Sequence, residues 1–195
     1  MMTDQEIKDV FQEMGAILQG HFQLTSGRHS DTYIQCARVL ENPDVTSKLA
    51  QESIERLPQD LIDSIDLVAS PAVGGMRFGF AVAQALHKNF VFSERVEGKM
   101  QFRRSFTIES GQRVLVVEDV VTTGGSVKEV CDLVEAAGGE VVAVVSLIDR
   151  KTDKKFSAPF YPLLELPTLS WDPDECELCK KGIEIHSLGS RNLKK

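Results

Sequence analysis

The chain has 195 residues, 42% apolar and 26% charged, enough to bury a core without disulfides or metals. Its formal net charge of −7 excludes nonspecific nucleic-acid binding, which needs clustered Lys and Arg, and no apolar run approaches the ~20 residues that span a bilayer. The stretch from Met1 to Glu6 lacks the basic and apolar parts of a signal peptide, so a cytoplasmic protein with no nucleic-acid or membrane partner is expected.

Thr3 with Glu6 forms a capping box, and Ile7, Val10, Phe11 and Met14 give the apolar face of a first helix that ends near Gly15. Residues 21–38 are β-rich around Ser26-Gly27 and predict a hairpin. A helix over 46–57 turns Leu49, Ile54 and Leu57 inward. Leu67-Val68-Ala69 is a short strand that breaks at Ser70-Pro71 into Gly74-Gly75, and a largely apolar helix follows to Leu86. Phe90-Val91-Phe92 is the next strand, and the charged segment 94–112 suits a flexible arm or hairpin. Val114 to Val117 reads as a strand covered on both faces, with Glu118 and Asp119 at its carboxyl end. The turn Val120-Val121-Thr122-Thr123-Gly124-Gly125-Ser126 follows, and Val127, Val130, Cys131 and Val134 mark an amphipathic helix that stops at Gly138-Gly139. Residues 141–148 form another buried strand, and those after 155 are expected to add a small hood or edge. Strands alternating with helices predict an α/β fold, a mainly parallel doubly wound sheet flanked by helices, with the site at the strands' carboxyl ends.

The turn at 120–126 is built to hold a phosphate. It abuts a helix amino terminus, where unpaired amides and the peptide dipoles favour negative charge, and Thr122, Thr123 and Ser126 add hydroxyl donors. Two acids beside such a cradle imply a partner carrying metal or diols. Gly74-Gly75 opens a second helix and could expose amides to a diphosphate, against the alternative of a plain tight turn. Arg95, Lys99, Arg103 and Arg104 lie on a glycine-containing loop ahead of the strand at 114–117, and a solvated charge run is the ordinary explanation of them. Arg150 could pair two-pronged with a carboxylate or a planar imide. Cys131 reads as a small buried hydrophobe, and Cys176-x-x-Cys179 is half a zinc site at best, its second half to come from His186 or another subunit.

The segment from Val114 to Ser126 resembles the 5-phosphoribosyl-1-diphosphate (PRPP) signature of the type I phosphoribosyltransferases. With Gly20-His21-Phe22-Gln23-Leu24-Thr25-Ser26-Gly27-Arg28-His29-Ser30 and Asp149-Arg150, the chain resembles the orotate phosphoribosyltransferases over nearly its whole length. The resemblance implies one phosphoribosyltransferase domain over 1–195, with 1–40 contributing a hood over the base site and 155–195 a C-terminal extension. It implies Glu118 and Asp119 on the ribose hydroxyls, residues 120–126 around the 5-phosphate, and Thr122, Arg150 and Ser26 at orotate. Arg95 and Lys99 would reach the diphosphate from the neighbouring subunit of a homodimer through loop 94–104, with Lys99, Glu118 and Asp119 counted as catalytic. Mg²⁺ would be carried mainly by the PRPP diphosphate and ribose hydroxyls. A purine or other base transferase, a PRPP-sensing regulator and a catalytically idle subunit are the rival readings. The sequence departs from the family by lacking lysines at Val73-Gly74 and Thr25, and by placing Arg103 and Arg104 where a histidine follows the loop lysine.

Overall fold

The computed structural model describes residues 1–24, 26–151 and 155–188. The capping box forms: Glu6 N–H donates to Thr3 Oγ1 at 3.3 Å, and Thr3 N–H donates to the Glu6 carboxylate at 2.7 Å. It starts helix α1 (Asp4–Glu13), which buries Ile7 and Phe11. Strands β1 (Ile17–Gln23) and β2 (His29–Ile34) make the antiparallel hairpin expected around Ser26-Gly27. Two short helices, α2 (Cys36–Leu40) and α4 (Gln59–Ser64), flank α3 (Pro43–Glu55). The third helix begins earlier than its apolar spacing suggests, because Asn42 accepts the amides of Asp44 and Val45 and Pro43 supplies a preset φ.

The remaining elements build the main sheet. They are β3 (Leu67–Pro71), α5 (Gly74–Leu86), β4 (Asn89–Val96), β5 (Lys99–Phe102), β6 (Arg113–Val121), α6 (Gly125–Ala136), β7 (Glu140–Asp149) and β8 (Phe160–Glu165). The sheet order is β5-β4-β3-β6-β7-β8, with only β5 antiparallel to its neighbour. A second, three-stranded antiparallel sheet joins β1, β2 and the two-residue β9 (Ser170–Trp171). The segment after 155 thus divides between the two sheets, and a four-residue helix α7 (Glu177–Lys180) follows.

Alternation along the central strands explains why both faces are covered. Val68, Leu115 and Val117 join Leu49, Phe78 and Val82 in one apolar cluster, whereas Leu67, Ala69, Val114 and Val116 join Val127, Val130 and Val134 in the other. Helices α3 and α5 therefore close one face and α6 the other. β6 runs four residues past the apolar core predicted for it, because parallel pairing with β7 continues to Val121 opposite Asp149. The two acids are consequently held in a paired strand rather than after one.

Candidate active site

Parallel neighbours β3 and β6 deliver two helix starts to one edge of the sheet. α5 begins after Val73 and α6 after Gly124, and neither amino terminus carries a side-chain cap. Both present amides and the positive end of a helix dipole to the same edge. Gly124 is in the left-handed region at φ +78°, which turns the chain from β6 into α6, with Thr122 and Thr123 exposed beside it. Ser126 is half-buried in the first turn of that helix.

Between these helix starts stand Glu118 and Asp119. Glu118 is buried, and burial together with Asp119 alongside holds its carboxyl well above the ordinary glutamate value. Asp119 N–H donates to Glu118 Oε1 at 3.0 Å, and Val120 N–H donates to Asp119 Oδ1 at 2.8 Å. The α5 glycines pack directly on the pair. A Cβ at Gly74 would meet Asp119 Oδ1 at 2.9 Å, and one at Gly75 would meet Glu118 Oε1 at 2.8 Å. Gly74 therefore has no room for a side chain, a lysine included, while Val73 is 77% exposed. Thr25 lies outside the described residues.

Arg150 closes the carboxyl end of β7, its amide donating to Val121 O at 3.0 Å. Its guanidinium is buried, which disfavours the charged form, although Asp31 and Tyr33 favour it. It donates to Thr168 Oγ1 through Nε at 2.7 Å and also through Nη2, which lies 3.4 Å from Ser30 Oγ. Ser30 in turn lies 2.7 Å from Leu169 O, so the small sheet and the main sheet meet at this arginine. Ser26 is exposed in the β1–β2 turn.

The charged segment is a hairpin, β4 to β5, with its turn at Glu97-Gly98. Lys99 is exposed at the start of β5. Arg95 bends back to Gly98 O at 2.6 Å and to Glu129 of α6 at 2.8 Å, while Arg104 pairs with Glu94 and lies over the Phe92 ring. Arg95 is thus held beside α6, and Arg104 within its own hairpin, by exposed pairs, each of small energy.

Cys131 is buried on the inner face of α6, where burial pushes its thiol up to about 12, which removes it as a nucleophile. Cys176 and Cys179 do gain nitrogen neighbours, but not His186. That residue bridges to Phe22 through its backbone, its N–H donating to His21 O at 2.8 Å. The side chains that approach the sulfurs are His21 and His29, which sequence reasoning passed over. The signal available for them was the placing of two histidines on either side of a predicted turn.

A phosphoribosyl transferase domain matches residues 39–177. The orotate phosphoribosyltransferase of Heliobacterium modesticaldum is 44% identical over 191 residues, covering 97% of this chain and all of that one. The chain belongs to the orotate phosphoribosyltransferase family. The enzyme of the same name from Desulforamulus reducens is 45% identical over 193 residues, 98% of this chain and 100% of its own. The crystal structure of orotate phosphoribosyltransferase from Aeropyrum pernix superposes with a TM-score of 0.71 at 27% identity, covering 82% of this chain and 93% of that chain. The family relationship therefore extends beyond the β6–α6 unit to the small sheet and the end of the main sheet.

Proposed function

We infer that this protein transfers the 5-phosphoribosyl group from PRPP to N1 of orotate, giving orotidine 5′-monophosphate and diphosphate in pyrimidine biosynthesis. The observation that carries the assignment of roles is the placing of Glu118 and Asp119 beneath Gly74-Gly75, between two uncapped helix starts. The α6 start takes the 5-phosphate, with Thr122, Thr123 and Ser126 as hydroxyl donors and the amides from Val120 to Gly125 around it. The α5 start faces the diphosphate. The two acids face the ribose 2′- and 3′-hydroxyls, and Asp119 favours the positive charge that the ring gains as the C1–O bond breaks.

Arg150 supplies the cationic fork for the orotate carboxylate or imide, with Thr122 and Ser26 completing the base contacts. PRPP would enter as its Mg²⁺ complex, the metal carried by the diphosphate and ribose hydroxyls and supplying charge neutralisation to the leaving group. Lys99, together with Arg95 once it leaves Glu129, closes over the same charge from the partner subunit of a homodimer. Closure excludes water and limits hydrolysis of PRPP. No covalent nucleophile is needed. Among the described residues no helix is long and apolar enough to cross a membrane.

The test is a spectrophotometric assay of orotate consumption with PRPP and Mg²⁺, run beside guanine, hypoxanthine, adenine and uracil. Orotate alone should be consumed. Turnover of a purine with orotate untouched would overturn the base assignment, and PRPP binding without turnover of any base would overturn the enzymatic one.

A further inference from the structure

The C-terminal extension meets the small sheet in a cluster that the transferase chemistry does not use. His21 on β1 and His29 on β2 share one face of the hairpin, because Gln23 pairs with His29 and lies two residues from His21. The extension brings Cys176, at the amino end of α7, and Cys179, one turn on, against that face. The four ligand atoms all lie within 4.8 Å of one another. His21 Nε2 is 3.1 Å from His29 Nδ1 and 3.4 Å from Cys176 Sγ, and Cys179 Sγ is 3.3 Å from His29 Nδ1 and 3.7 Å from His21 Nε2.

From these distances we propose that His21, His29, Cys176 and Cys179 form a tetrahedral site for one Zn²⁺ ion that clamps the C-terminal extension to the hood. Tetrahedral zinc with Zn–N of about 2.0–2.1 Å and Zn–S of about 2.3 Å sets its ligand atoms about 3.3–3.8 Å apart. The four contacts, from 3.1 to 3.7 Å, scatter around that range. The tautomer of His21 is also set correctly: its Nδ1 lies 2.7 Å from Ile183 O, a carbonyl that can only accept. The proton therefore sits on Nδ1, and the Nε2 lone pair faces the sulfurs, the arrangement of a metal-bound imidazole steadied by a backbone carbonyl.

Charge balance and burial agree with the donor set. Binding releases the two thiol protons, and two thiolates with one Zn²⁺ sum to zero, which suits residues as buried as His21 at 1% and Cys176 at 0% exposure. Four protein ligands leave no open position, so the ion is structural rather than catalytic. Cys179 reaches the surface and offers the entry path. The ion would reinforce a junction at which the hairpin already meets the extension. Arg28 pairs with Asp172 at 2.8 Å, Tyr33 donates to Leu188 O at 3.2 Å, and the same hairpin carries Ser30 against Arg150.

The test uses full-length protein without a histidine tag, expressed with zinc in the medium and analysed by elemental mass spectrometry. One zinc per chain is expected, falling below a tenth in Cys176→Ser and His29→Ala and staying at one in His186→Ala. Replacement by Co²⁺ should give the intense visible bands and thiolate charge-transfer absorption of a tetrahedral sulfur site, both altered by Cys179→Ser. Chelation should lower Tm by roughly 10 °C, reversed by added Zn²⁺. Folded protein that carries no metal after reconstitution and gives only octahedral Co²⁺ spectra overturns the proposal. So does the loss of two titratable thiols without reductant, which would mark a Cys176–Cys179 disulfide. The Co²⁺ spectrum reads the site even where a cysteine variant folds poorly.

Discussion

Gly74 lies against Asp119 so closely that a Cβ at position 74 would stand 2.9 Å from Oδ1 and 3.0 Å from Oδ2. The carboxylate is not free to swing away without cost, since its Oδ1 accepts the Val120 amide at 2.8 Å. Gly74→Ala should therefore move the acid that is assigned to the ribose. Alanine is favoured over glycine by up to about 1 kcal/mol only in a helix interior and by less at a first residue such as Gly74, so the clash is not offset and Tm should fall modestly. A displacement of about an ångström at a positioned group costs on the order of a hundredfold, and kcat/KM for PRPP should fall between tenfold and a hundredfold. Steady-state kinetics beside thermal unfolding checks both halves, and unchanged kinetics would detach Asp119 from the sugar.

Glu118 ties function to stability with a definite sign. Its carboxyl is held well above the ordinary value of 4.5 by burial and by Asp119, so the folded state keeps a proton that the unfolded chain has already lost. Stability contributed by the protonated form is fully present below 4.5 and is lost as pH rises through the folded-state value. Glu118→Gln retains a neutral side chain of the same size and should flatten this decline. The variant should unfold at a higher temperature than wild type at pH 8, with the gap closing towards pH 5, while transfer activity falls. Melting curves over that range decide it: parallel curves for the two proteins would mean that Glu118 does not titrate between them.

Much of this site was legible because local chemistry and long-range position coincide in it. The run Val114 to Ser126 is contiguous, so strand, acids, glycines and helix start are read together, and alternating strands and helices place it at a sheet edge. The other half of the zinc-type cluster was not legible, since Cys176 and Cys179 meet His21 and His29 only through the β1–β2 register and the docking of α7. β8 was hidden for a different reason. Pro162 weakens its strand signal, yet an edge position tolerates a residue without an N–H, and β8 pairs only with β7. Helix α2, with five residues, is too short to display a period.

Arg150 should show its role in how the two Michaelis constants separate. The guanidinium is oriented by Thr168 and Ser30 before any ligand arrives, so a bound anion meets a fixed fork. Arg150→Lys keeps the charge and loses the paired donors. Charge-assisted hydrogen bonds of this kind contribute about 1.5–3 kcal/mol, so the KM for orotate should rise roughly tenfold to a hundredfold while that for PRPP changes less than about twofold. An equal rise in both constants would point to collapse of the junction between the two sheets instead.

The hairpin cations make a prediction about assembly. Arg95 is held by Glu129 and Gly98 beside α6 of its own chain, and Lys99 is exposed at the turn, so both are placed to leave with the hairpin as one unit. If they serve the partner's site, Lys99→Ala and Asp119→Asn damage different halves of each composite site. Each variant alone should lose on the order of a hundredfold in kcat, the usual effect of removing one preorganised electrostatic group. Mixed one to one and allowed to exchange subunits, they should regain roughly a quarter of wild-type activity, because half the dimers are hybrids and each hybrid holds one undamaged site. Activity that stays at the level of the separate variants after exchange, with hybrids verified by native mass spectrometry, would place Lys99 in its own chain's site.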